Sequence, residues 1–174
     1  MRHDPVKDRQ TVTPSGQPVH RLLDGVVLRP ARPIPDKRGD VTEILDPRWE
    51  DVGAPLVYAY QVTLRANAVK GWVMHRNQED RLFLVRGAVR WALYDDRAGS
   101  PTAGRLNLLT ITERNPALLI IPRGVFHAVE NIGTEEAVFV NLPTAPYDHA
   151  DPDKYRLPLV NDRIPFAFDD GRGW

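Results

Sequence analysis

Pro122-Arg-Gly-Val-Phe-His127-Ala-Val-Glu-Asn131 is the stretch on which the fold turns. It follows directly on a continuous apolar run, Leu118-Leu-Ile-Ile121, which reads as a strand covered on both faces. Pro122 and Gly124 make a tight turn, because proline presets φ and glycine tolerates the left-handed region. The next strand then presents His127 at a fixed place. Outward from there, short apolar runs recur between turn signals: Gly25–Leu28, Asp40–Leu45, Val57–Leu64, Val69–His75, Leu82–Val85, Ala88–Tyr94, Arg105–Ile111, Ala117–Ile121 and Ala137–Leu142. Val89, Trp91 and Leu93 alternate with Arg90, Ala92 and Tyr94, the period of a half-buried strand. Val85-Arg-Gly-Ala places Gly87 between two such runs and reads as a hairpin, and Asp95–Pro101 reads as a longer loop. No stretch keeps a helical period with caps at both ends. Asp46–Val52 is expected to form one or two helical turns and Asp151–Tyr155 a single one. Strands spaced every eight to twelve residues or so predict a sandwich or barrel.

Composition narrows the function. The 174 residues suffice for one domain. Lys plus Arg and Asp plus Glu each number 23, so there is no net charge to favour nucleic acid or an anionic membrane. Cysteine is absent, which excludes disulfides, thiolate metal sites and a cysteine nucleophile. No apolar run approaches the ~20 residues of a membrane span, and the opening Met1-Arg-His-Asp has no apolar signal core. The expectation is a soluble cytoplasmic protein. Residues 1–24 are polar, carry Pro5, Pro14 and Pro18, and read as a partly ordered arm; residues 25–174 read as one domain.

The pattern P-x-G-x-x-H-x-x-x-N, complete at Pro122–Asn131, resembles the second motif of the cupin barrels. The first cupin motif, H-x-H, four residues, Glu, six residues, Gly, has its frame in Val73-Met-His75, four residues, Asp80, six residues, Gly87. A closer resemblance is to the dTDP-4-dehydrorhamnose 3,5-epimerase family. Asp36-Lys-Arg38-Gly39-Asp-Val-Thr-Glu43 resembles its D-x-R-G-x-x-x-E segment. Tyr94-Asp-Asp-Arg97-Ala-Gly-Ser100-Pro101-Thr102-Ala-Gly104 resembles its D-x-R-x-x-S-P-T-x-G loop, and Ile121–Ala128 resembles its I-P-x-G-F-x-H-G. Val160-Asn161-Asp162 resembles the late W-x-D segment. The resemblance implies an all-β double-stranded β-helix (a jelly-roll barrel with short helical turns) paired into a homodimer. It also implies removal of the proton beside the C4 carbonyl of a nucleotide-linked keto sugar and its return on the opposite face, without metal or cofactor.

The resemblance assigns His75 as the base, Asp162 as the carboxylate that orients it and His127 as polar support near the sugar. Arg38 and Glu43 match the nucleotide-contacting pair, with Arg38 forking a diphosphate, from the neighbouring subunit or its own. The family's catalytic Tyr falls on Asn141, which cannot serve as an acid; Tyr147 and Tyr60 are the candidates to replace it. The family's enolate-binding Lys falls on Asp80, with Arg81 one residue away. Two other readings stand beside this one: a metal cupin holding iron or manganese through His75, Asp80 and His127, and a non-catalytic sugar- or effector-binding barrel favoured by the Tyr-to-Asn change. Other singled-out residues have plainer readings. Trp72, Trp91 and Phe83 read as core, Arg97 as a brace for its own loop, Asp162 equally as a cap before Pro165, and His149 as a solvated loop residue. His3 and His20 lie in the arm and are given no role.

Overall fold

The structure is a computed structural model and describes residues 7–8, 10–16, 18–19 and 21–168; His3 and His20 lie outside them. Among the described residues the elements are all strands. They are β1 (Val27–Pro30), β2 (Ile34–Asp36), β3 (Gly39–Val41), β4 (Tyr60–Leu64), β5 (Val69–Met74), β6 (Asp80–Arg86), β7 (Ala88–Asp95), β8 (Leu106–Thr112), β9 (Ala117–Ile121), β10 (Val125–Asn131), β11 (Ala137–Asn141) and β12 (Tyr155–Arg156). Two five-stranded antiparallel sheets, ordered β1-β9-β6-β11-β4 and β12-β5-β10-β7-β8, make the jelly roll, and β2 and β3 form a separate small hairpin.

Apolar alternation explains the layering. Leu82, Leu84, Leu119, Ile121 and Phe139 of the first sheet meet Val89, Trp91, Leu93 and Val129 of the second in one buried core. The opposite residues of the same strands are covered as well. Phe83, Leu118 and Ile120 lie beneath Ile44, Leu45, Trp49 and Val52, so β9 is buried at every position and reads as a continuous apolar run. Trp72, Ala92, Phe126 and Ala128 lie beneath Leu159, Ile164 and Phe168 of the C-terminal segment. Leu23 is also buried, its N–H donating to Asn107 Oδ1 at 2.9 Å, so the last residues of the arm belong to the barrel.

Two expectations are corrected, at Gly87 and at Asp151–Tyr155. β6 and β7 are not a hairpin: β6 pairs with β9 and β11, β7 with β8 and β10, and the chain changes sheet at Gly87. Gly87 has φ +97°, and a Cβ there would lie 3.0 Å from Ala137 Cα, so the corner admits no side chain. Asp46–Val52 forms two successive turns, Trp49 N–H to Asp46 O at 3.0 Å and Val52 N–H to Trp49 O at 3.1 Å, without a continuing helix. Asp151–Tyr155 forms no helical turn; its end is taken up by β12, which pairs with β5.

The loop after β7 is built on Asp95, whose carboxylate is buried. It accepts Arg97 Nε–H at 2.8 Å, Ser100 Oγ–H at 2.6 Å and Thr102 Oγ1–H at 2.5 Å. Burial alone would raise its pKa, but these bonds hold it well below the usual carboxylate range. Arg97 therefore braces its loop, and its Nη2 also donates to Asp24 O at 2.6 Å. Asp95→Asn removes the charge that Arg97 pairs with and one acceptor oxygen; a loss of about 3 kcal/mol in denaturant unfolding is expected.

Candidate functional site

The turn that decides the fold also fixes the site. Gly124 N–H donates to the His75 carbonyl at 2.8 Å, tying the end of β5 to the start of β10. Within that pair, Gly71 permits the approach of the two strands, since a Cβ there would fall 2.1 Å from Ala128 Cβ. His75 and His127 are thus brought together from neighbouring strands of one sheet, with ring centroids 5.6 Å apart. Asp80, the first residue of β6 in the facing sheet, meets both: its Oδ2 lies 3.3 Å from His75 Nε2 and 3.2 Å from His127 Nε2. Gln78 Nε2–H donates to its other oxygen at 3.1 Å. All four side chains are buried.

His75 Nδ1 is in contact with the Asp153 backbone carbonyl, an acceptor, so Nδ1 carries a hydrogen; Nε2 faces Asp80, donating to it when the ring is protonated and becoming a base only when that proton is lost. Asp153 is itself fastened down: its carboxylate accepts the N–H groups of Arg76 at 3.0 Å, Asn77 at 2.7 Å and Gln78 at 3.2 Å. Burial would lower the His75 pKa, but the hydrogen bond and charge of Asp80, with Asp153 behind the ring, raise it above its ordinary value. Burial would likewise raise Asp80, but the bonds from His127 and His75 hold it well below the carboxylate range. The contribution of Asp80 to stability is present above its unfolded pKa and lost as pH falls through its depressed folded one; that of His75 is present below about 6.5 and lost as pH rises through its raised folded value.

A cavity of about 210 Å³ opens between the sheets beside this cluster. Tyr60, Asp80 and Asn141 line it from the first sheet, His75 and His127 from the second, and Trp91 and Phe139 supply apolar wall. Tyr60 and Asn141 are cross-strand partners on β4 and β11. Asn141 Oδ1 accepts Arg81 N–H at 3.2 Å, which turns its amide so that Nδ2–H donates to the Tyr60 hydroxyl at 2.8 Å. The phenol's own hydrogen is left to point elsewhere. Burial, and then the charge of Asp80, push the Tyr60 pKa up to about 12, so the group is a neutral donor at physiological pH.

The other expected residues lie elsewhere. Asp162 is exposed on the covering C-terminal segment and does not line the cavity; the carboxylate between the imidazoles is Asp80. Arg81 is fully buried on the outer side of β6. Its guanidinium donates to the carbonyls of Leu142 at 2.6 Å, Ala54 at 2.5 Å and Pro55 at 3.0 Å, so it clamps loops rather than facing a substrate. Strand alternation dictates this: with Asp80 and Leu82 inward, Arg81 points out. Arg38, 81% exposed and paired with Asp36 at 2.5 Å, and exposed Glu43 belong to the β2–β3 region and do not reach this chain's own cavity. Tyr147 lines an adjoining recess of about 250 Å³, edge-on to His149. Asp153, Gln78 and Lys154 escaped the sequence reading; they sit in polar loops whose spacing carries no signal. His75, Asp80 and His127 offer donor atoms within 4.8 Å of one another, a set that suits a divalent ion.

A jelly-roll barrel with two imidazoles, a carboxylate and a neutral phenol lining one cavity carries the groups of an acid–base enzyme. The particular family follows from comparison with known proteins. The family model for dTDP-4-dehydrorhamnose 3,5-epimerase matches residues 20–162, and the chain belongs to that family. A probable low-salt glycan biosynthesis epimerase of Haloferax volcanii is 32% identical over 124 residues, 71% of this chain and 80% of that protein. A spore coat polysaccharide biosynthesis protein of Bacillus subtilis is 28% identical over 145 residues, 83% of this chain and 95% of that one. Among solved structures, a dTDP sugar isomerase of Desulfovibrio desulfuricans superposes with TM-score 0.75 at 28% identity, covering 83% of this chain and 91% of that one. A 3'-monoepimerase of Streptomyces bikiniensis, in complex with dTDP-quinovose, shares the fold with TM-score 0.75 at 20% identity, covering 87% and 79%.

The Asp80–His75 contact makes a direct prediction. The His75 imidazole, followed by NMR, titrates with a midpoint above 6.5, and in Asp80→Asn that midpoint falls. An unchanged midpoint would show that the carboxylate does not set the base strength.

Proposed function

We propose that this chain epimerises a nucleotide-linked 4-keto-deoxy sugar by proton abstraction beside the C4 carbonyl, at C3, C5 or both. The observation that carries the reading is the placement of His75 and Tyr60 on opposite sheets, facing one cavity. An epimerase needs a base on one side of the sugar ring and an acid on the other. Family membership and the Haloferax volcanii relative, named as an epimerase of glycan biosynthesis, support it.

Neutral His75, with its hydrogen on Nδ1, takes the C–H proton at Nε2; the imidazolium so formed is paired with Asp80, and the C–H electrons move onto the C4 oxygen as an enolate. Tyr60 returns a proton to the opposite face of the carbon. His75 then loses its proton to solvent and Tyr60 regains one. Asn141 positions the phenol, and His127 holds Asp80 from the other side. Tyr147 is a candidate acid only for a substrate part that occupies the adjoining recess. Asp162 is assigned no part in this scheme.

The protein works as a soluble, cytoplasmic homodimer in this reading, its partners being the nucleotide sugar and a second copy. Arg38 and Glu43 then act on the partner's bound nucleotide. The exposed Ile34 and Val41, paired across the same hairpin, give that hairpin an apolar side to bury. The buried set of two histidines and one carboxylate favours a second reading, a metal-dependent enzyme at the same place.

Incubation with a dTDP-4-keto-6-deoxyhexose in D₂O tests the first reading. Deuterium is expected at C3 or C5. Tyr60→Phe and His75→Asn are each expected to slow exchange by about 10²- to 10⁴-fold. No exchange across a panel of such sugars overturns the proposal. Metal analysis of untagged protein tests the second reading: stoichiometric iron or manganese, with activity lost on chelation and restored by the ion, would establish it.

A further inference from the structure

An enolate needs a cation or donor at its oxygen. On the first sheet's wall the residue where the resemblance puts a lysine is Asp80, an anion, and Arg81 faces outward. Three cationic residues line the cavity: Lys70 from β5, and Lys154 and Arg156 from the segment that forms β12.

One of the three is placed differently from the others. The main cavity and the adjoining recess share three lining residues, Tyr60, His75 and Lys154. The base, the phenol and one lysine therefore border both spaces. Lys154 is also coupled to the base through the backbone. The carbonyl that fixes His75 Nδ1 belongs to Asp153, so one peptide unit both sets the imidazole tautomer and starts the lysine. Among the described residues Lys154 makes no ion pair; its Nζ lies 5.7 Å from the Tyr147 ring. Lys154 is exposed overall; the burial of its stem, with the neighbouring Arg156 and Lys70, lowers its pKa, while Asp80 opposes the shift. Asp80 is already engaged by two imidazoles and Gln78. A negative charge arriving beside it is thus the group this ammonium lacks.

Resting on the epimerase reading above, we infer that Lys154 is a catalytic residue: its ammonium holds the C4 oxygen of the keto sugar and neutralises it as the enolate forms. Since the charge on that oxygen is far larger in the enolate than in the ketone, the contact strengthens as the proton leaves and acts on turnover more than on binding.

The test compares wild type, Lys154→Met and Lys154→Arg by deuterium exchange from D₂O into a dTDP-4-keto-6-deoxyhexose, with circular dichroism and thermal melting as a check on folding. Lys154→Met is expected to lower kcat by about 10²-fold or more, the loss typical of removing one oxyanion-stabilising group, with KM changed by less than about threefold. Lys154→Arg, which keeps the charge, is expected to recover part of that loss. A folded Lys154→Met enzyme that exchanges at the wild-type rate overturns the proposal while leaving the epimerase reading intact. So does a rise in KM at unchanged kcat, which would make Lys154 a holder of the diphosphate. Wild-type enzyme that exchanges no deuterium overturns both.

Discussion

A carboxylate sealed between two sheets must be paired, and the pairing of Asp80 with His75 and His127 organises the rest of the cavity. Taking an unpaired carboxylate out of water costs several kcal/mol even after the protein relaxes. Here three groups share that burden, two imidazole nitrogens within 3.3 Å and the Gln78 amide. Because Asp80 is on one sheet and the histidines on the other, the same contact draws the mouth of the barrel together and holds both rings toward the space between. The geometry that satisfies the charge is also the one that makes His75 more basic.

Strand alternation then sorts the neighbouring groups by function. On β6, Asp80 and Leu82 face inward and Arg81 outward, so adjacent residues have unrelated tasks. Arg81 is surrounded by backbone carbonyls from residues 54–55 and 142–143, which gives it partners without a carboxylate. Its grip on the end of β11 bears on the site at one remove: the Arg81 N–H fixes the Asn141 amide, and the amide fixes the Tyr60 hydroxyl.

Much of the barrel was legible in the sequence because burial leaves a periodic trace. Seven of the expected runs, from Val57–Leu64 to Ala137–Leu142, overlap β4 to β9 and β11, and the P-x-G turn placed His127 at the start of β10. The hairpin at Gly87 was misread because a glycine corner between sheets and a glycine hairpin look alike in one dimension; only pairing separates them. In the site, His75, Asp80, His127 and Asn141 were visible as motif positions or departures from one, and Tyr60 as a tyrosine on an earlier strand. Asp153 and Lys154 were not, because their roles depend on a backbone carbonyl and on where a loop lies, and neither imposes a spacing. Asp162 was misplaced for the same reason: a carboxylate late in the chain can be matched by motif, but only the path of the C-terminal segment shows that it covers the outer sheet face while Asp153 approaches His75.

In the proposed mechanism the Asn141–Tyr60 pair keeps the chemistry although the motif position itself carries no acid. Directly opposed residues in an antiparallel ladder have Cβ atoms about 4.5–5.5 Å apart and project from the same face. A phenol moved from β11 to its partner position on β4 therefore still enters the same cavity, from the same sheet, opposite the same base. The residue left behind need not be inert, since an amide can donate to the displaced hydroxyl and leave its proton free for substrate. Reading Asn141 as the loss of an acid treats the position as the functional unit. The ladder pair is the better unit, because the substrate meets a surface to which both strands contribute.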